Sequence, residues 1–305
     1  MKRLIVIISI LMVALWTVNV FAQSGSALAD EKFNLMNKWL NQEKLSMTEN
    51  TNQAFMDKYI IMEGEGLPSE NAKTPGQKRL TAIRAAEIVA YRNLAQFLDG
   101  VAIAGDASIK AMALNYEVVR VAVTGFVKGA QVVYKEYNEK DEVALVLIKV
   151  GMTGPGSFGE MIYKKVIGDP NIGNKIVTPV KPVEIARTVT VDTKFDGIVI
   201  DATGLNFRPA LINRILTLKG EMLYDPSKVS QKILIEKGCG EYTNSVTKAK
   251  IALESRGVKN PLIVKAAGTS NPTDLQVTDD DAVKIFSADQ KAGFLADAKV
   301  AFVLK

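Results

Sequence analysis

Apolar positions recur along this chain with two different periods, and the contrast between them predicts where helices and strands lie. In AIRAAEIVAYRNLAQFLDGV, residues 82–101, the side chains Ile83, Ala86, Ala90, Leu94, Phe97, Leu98 and Val101 share one face at 3.6 residues per turn. That spacing predicts a helix packed on a core and ended at Gly100. The far side is only mildly polar, with Ala85, Ile88, Val89 and Ala95 set among Arg84, Arg92, Gln96 and Asp99. It predicts a second cover over Ile88 and Val89, supplied by the segment around Phe33 to Leu40 or by another chain. That segment has Phe33, Met36 and Leu40 at helical spacing beside Trp39. Asp30 and Glu31 precede it where the helix dipole favours acids, so a short helix is expected.

Period-two stretches follow. KYIIMEGEG, residues 58–66, reads as a strand that stops at its glycines, and PSENAKTPGQ as a loop. YEVVRVAVTGFVKGAQVVYKEY alternates with interruptions at Gly125 and Gly129, and VALVLIKVGM follows the charged turn NEKDE, which predicts an antiparallel hairpin. Residues 57–152 therefore read as α+β, a helix laid on an antiparallel sheet. Glycine and proline then concentrate over 153–194, which reads as a linker with a short helix at 160–166. FDGIVIDATG, LIVKAAG, DLQVT and AKVAFVLK are strands, TNSVTKAKIALESRG and VTDDDAVKIF are helices, and 195–305 is a second domain of α/β or α+β type.

The N-terminus changes the picture most. Lys2 and Arg3 precede an apolar run from Leu4 to Trp16, and Val20-Phe21-Ala22 offers a cleavage point before Gln23. Residues 1–22 read as a secretory signal, which leaves 23–56 as an N-terminal helical segment. The run is shorter than the roughly 18 residues of a spanning helix. No cysteine lies near the cleavage point, so no lipobox anchor is expected, and the mature chain is expected in the periplasm or outside the cell without a stable transmembrane segment. The net charge is +5, of which Lys2 and Arg3 supply two, and basic and acidic residues are interspersed, which speaks against a nucleic-acid partner.

Candidate chemistry is sparse. The chain has no histidine, which removes Ser-His-Asp and Cys-His catalysis and histidine-ligated metals. Its single cysteine, Cys239, has no disulfide partner within the chain and no histidine to activate it. GPGSFG, 154–159, has the letters of a dinucleotide fingerprint but follows a hairpin arm and contains Pro155, so a linker is expected. Asp279, Asp280 and Asp281 are adjacent and cannot all face one calcium ion; Thr278 as N-cap with Asp281 three residues on reads as a capping box. No catalytic residue, cofactor or metal is nominated. Candidate interaction or packing residues are Arg84, Glu87, Ile88, Val89, Tyr91 and Arg92, the first two and Tyr91 forming a polar shoulder.

The helix with Arg84, Ala85, Ala86, Ala90, Arg92 and Leu94, its Gly100-Val101 end, then Gly125 and Gly129-Ala130 before the hairpin, resembles the LPP-twenty lipoprotein family of bacterial envelopes. It is similar, more distantly, to the N-terminal part of flagellar assembly protein T. The resemblance covers about 57–152 and implies a small α+β envelope domain without catalysis, in proteins of the outer membrane or the motility apparatus. The expected function is thus a non-enzymatic exported envelope protein whose partner is another envelope protein or a second copy. The alternative is a ligand-binding module with a cleft between its domains, for an envelope glycan or small molecule.

Overall fold

The structure is a computed structural model and describes residues 34–176, 180–184 and 194–305. The signal segment, the Ala22–Gln23 cleavage point and Phe33 lie outside the described residues. The chain divides into two compact units, Met1–Ser46 and Met47–Lys305. In the first, helix α1 (Asn34–Glu43) buries Met36 and Leu40, four residues apart.

The second unit begins with α2 (Thr51–Asp57), capped by the Asn50 side chain, which accepts from Gln53 N at 3.0 Å. Strand β1 (Tyr59–Gly66) follows, then the long helix α3 (Pro75–Asp99). Helix α3 starts earlier than its apolar stripe, because Thr74 and Gln77 form a reciprocal capping box and Pro75 occupies the first turn. Strands β2 (Ala102–Ala104) and β3 (Ala107–Ser108) and helices α4 (Ile109–Asn115) and α5 (Glu117–Lys128) lead to β4 (Gln131–Asn138) and β5 (Val143–Gly151). The sheet order is β1-β5-β4, antiparallel throughout, and α3 lies on one face of it. This is the expected α+β layer.

One expectation within it needs correction. The hairpin is present, but 117–128 is helix and not strand. Its valines fit a period of two, yet Val119, Val123 and Val127 also recur every four residues. Burying those three on one helix face overrides the β preference of valine. Strand β1 passes through Gly64 and ends at Gly66, the glycine stop that 58–66 suggested. A Cβ on Gly64 would lie 2.9 Å from Ala90 Cα and nearer still to Ala86 O and Ala90 N. One on Gly66 would lie 2.8 Å from Ala85 Cβ and nearer to Ala82 O and Ala86 N. Helix and strand backbones meet here, which is why Ala82, Ala86 and Ala90 are fully buried and small.

Within 153–194, residues 158–176 are mostly helical, which extends the short helix expected at 160–166. Helix α6 (Phe158–Ile162), a π-helical turn (Tyr163–Ile167) and α7 (Pro170–Ile176) follow β5. Phe158, Ile162, Tyr163 and Val166 are buried in the core, and the Tyr163 hydroxyl donates to Leu211 O at 2.8 Å.

The remainder is the second α/β part. Strands β6 (Gly197–Asp201), β7 (Arg214–Thr217) and β8 (Met222–Tyr224) lead to α8 (Gln231–Lys237), β9 (Glu241–Thr243) and α9 (Val246–Glu254). Then come β10 (Pro261–Lys265), β11 (Gly268–Asn271), β12 (Asp274–Val277), α10 (Asp279–Ala292) and β13 (Val300–Val303). One sheet, β10-β6-β13-β9, is wholly parallel; the other, β11-β12-β7-β8, is mixed. The parallel sheet is covered on both faces, so its inner strands read as continuous apolar runs. Val199, Ala301 and Val303 pack on Ala249 and Leu253 of α9, while Ile198, Ile200, Val300 and Phe302 join the main core.

That core is continuous from Ala54 to Leu304. Backbone bonds cross between the two parts, Leu211 N to Ala102 O at 3.2 Å and Ile212 N to Ile103 O at 2.8 Å. Phe55 of α2 meets Tyr242 of β9 edge-on at 5.2 Å between ring centroids.

Candidate functional site

The outer side of α3 carries the nominated residues. Residues 80, 84, 88 and 92 lie on one four-residue ridge of the helix. Leu80 is 70% and Ile88 57% exposed, and Arg84 and Arg92 are exposed between and beyond them. Val89, one position round, is half-buried. With Ala82, Ala86, Ala90, Leu94 and Leu98 facing the sheet, Ile88 points away from it and is exposed in the single chain.

Glu87 is the organising group beside this ridge. Its carboxylate receives Arg84 Nη1 at 3.1 Å on one oxygen and Lys135 Nζ at 2.6 Å on the other, with its side chain only 14% exposed. The Lys135 hydrogen bond, working against desolvation and helped by Arg84, holds the carboxyl below its usual range. Lys135 stands on β4, 48 residues away, and nothing in the local sequence announces it. Tyr91 does not join this group; its hydroxyl donates to Ala130 O at 3.4 Å and ties α3 to the start of β4.

The remaining candidates are occupied internally. In the glycine-rich turn, Gly154 N donates to Ile235 O at 2.7 Å, Gly156 N to the Glu160 carboxylate at 2.5 Å and Gly159 N to Met152 O at 3.1 Å. A carboxylate of the chain itself thus sits where a phosphate would have to go. The acidic run is a helix cap: the Thr278 hydroxyl accepts from Asp281 N at 3.2 Å and donates to Asp281 Oδ2 at 2.9 Å. Asp281 pairs with Lys284, and Asp279 with Lys219. Cys239 is 2% exposed with its sulfur 3.1 Å from the Tyr242 hydroxyl, and burial pushes the thiol up, so it stays protonated and unreactive. Among the described residues no three His, Cys, Asp or Glu side chains converge on a metal position, and no helix is long and apolar enough to cross a membrane.

A groove of about 520 Å³ at the start of α3 is lined by Lys73, Lys78, Arg79, Tyr137, Glu139 and Glu142, with Lys78 bound to Glu142 at 2.6 Å. A smaller one of about 280 Å³ lies at the β8 edge of the mixed sheet, walled by Pro182, Met222, Leu223, Val229 and Leu295.

Sequence reasoning missed a buried ionic clamp. Arg256, after α9, donates to Glu241 Oε1 at 2.7 Å, to Ala298 O at 2.6 Å and to Lys237 O. Lys58 reaches the other Glu241 oxygen at 2.7 Å. A second buried pair, Arg214 with Asp274, joins β7 to β12.

Comparison with known proteins bears on the C-terminal part. Residues 197–305, from the start of β6 onward, match the family model of the second domain of Treponema pallidum Tp0624, just over a third of the chain. No curated protein matches the chain. No family model of LPP-twenty lipoproteins or of flagellar assembly protein T matches 57–152, and that resemblance is withdrawn. Its residues have local causes instead. The alanines follow from contact with Gly64 and Gly66, and Gly125 and Gly129 lie in and at the end of a helix, not along a strand.

Proposed function

We propose that this protein is a non-enzymatic, exported protein of the cell envelope that works by binding another envelope protein through the outer ridge of α3. The observation that carries this is the alternation of exposed Leu80 and Ile88 with exposed Arg84 and Arg92. Leu80 and Ile88 are both on the ridge and are among the exposed large hydrophobic side chains of the described residues. A ridge of two aliphatic side chains flanked by guanidinium groups suits a partner with an apolar patch bordered by carboxylates.

Export is supported by Lys2, Arg3 and the apolar run that follows them. Cell fractionation with intact-mass analysis tests it: envelope protein beginning at Gln23 is expected, and cytoplasmic protein still carrying residues 1–22 would refute it. For the ridge, Ile88→Asp combined with Arg92→Glu should abolish co-purification of the partner from native envelopes. Both positions are exposed, so the melting temperature should hold. Unchanged recovery of the partner would refute the assignment.

A further inference from the structure

Helix α5 carries outward-facing residues that its own chain does not require. Val119, Val123 and Val127 face the core, and Phe126 packs on Phe158 at 5.4 Å between centroids. On the outer side Val118 is 41% and Val121 60% exposed, beside half-buried Ala122, with Gly125 one turn further on. Nothing lies within 4 Å of a Cβ built on Gly125, and its backbone is not left-handed, so neither space nor conformation calls for glycine. In an exposed helix interior glycine disfavours the helix relative to alanine, because its backbone loses more freedom on folding. Gly125 therefore weakens the helix without a return inside this chain.

We propose that this face is a contact between two copies of the chain, their α5 helices antiparallel about a two-fold axis at Val121 and Ala122. Reversal about that point sets Val118 of one copy opposite Gly125 of the other, and the symmetry repeats the fit at both ends. Bulk meets notch. The same reversal brings exposed Glu117 near exposed Lys128 of the second copy and opposes the two helix dipoles. Glu117 also pairs with Arg120 in its own helix. Twelve residues span about 18 Å, and a contact of that length is at the small end of specific interfaces, so the association is weak and depends on concentration.

Sedimentation equilibrium of the purified protein, its N-terminal processing established by intact mass, tests this over about 1 μM to about 1 mM. The mass should rise from one chain toward two. Gly125→Leu fills the notch while meeting open space in its own chain, and should abolish the rise without lowering the melting temperature. Glu117→Lys and Lys128→Glu should each weaken association by about tenfold, and the two together should restore it. A single-chain mass at every concentration would overturn the proposal. So would a dimer indifferent to Gly125→Leu, or a charge swap that fails to restore. None of these outcomes bears on the α3 ridge, which is a separate surface.

Discussion

Gly64 shows how much one missing carbon can decide. With Ala86 O and Ala90 N closer to its virtual Cβ than any side chain would tolerate, the β1 and α3 backbones hold each other at a separation only glycine permits. Gly64→Ala should cost about 1–3 kcal/mol or more through overpacking, read as a lowered urea midpoint. A midpoint equal to wild type would mean that the helix does not rest on the strand. Glu87 supplies a pH-dependent counterpart. Because Lys135 and Arg84 depress its folded-state value, its stabilisation is present above the unfolded carboxylate value of about 4.3. It is lost as pH falls through the lower folded value. Glu87→Gln should therefore destabilise at neutral pH and flatten the acid limb of a stability–pH curve. An unaltered limb would show that the ion pairs do not persist in solution.

At the level of elements, the Arg256–Glu241 pair locks the turn after α9 to β9, to the end of α8 and to the turn before β13. Glu241→Ala leaves a buried guanidinium without its carboxylate and should cost about 3–5 kcal/mol by chemical denaturation. A loss under 1 kcal/mol would place the clamp in solvent. The elements themselves were unevenly legible in sequence. Helix α3 was readable because its burial recurs every four residues, and strands β5, β6 and β13 because each is a short, almost continuously buried apolar run. Residues 117–128 were misread because Val119, Val121 and Val123 alternate as well as a strand would, and only the packing of 119, 123 and 127 decides between the two. The site was half legible. Arg84 with Glu87 is a local pair, but Lys135 comes from another element, and the exposure of Ile88 depends on what the sheet leaves uncovered.

Among the described residues from 47 to 305, one continuous core joins the antiparallel layer to the parallel sheet, reinforced by the bonds from Leu211 and Ile212 to the β2 strand. These parts should open together. Native-state hydrogen exchange is expected to give amides of β5 and β13 the same opening free energy, and a lower value for β5 would show two independent domains. A shared core also gives the α3 ridge a rigid base, which suits recognition by a preformed surface.

A photo-crosslinking residue placed at position 88 in living cells tests the proposed recognition at the α3 ridge most directly. A discrete adduct with an envelope protein is expected from position 88, absent when the same group is placed at exposed Lys250 on α9. No adduct from position 88, or equal adducts from both positions, would contradict it.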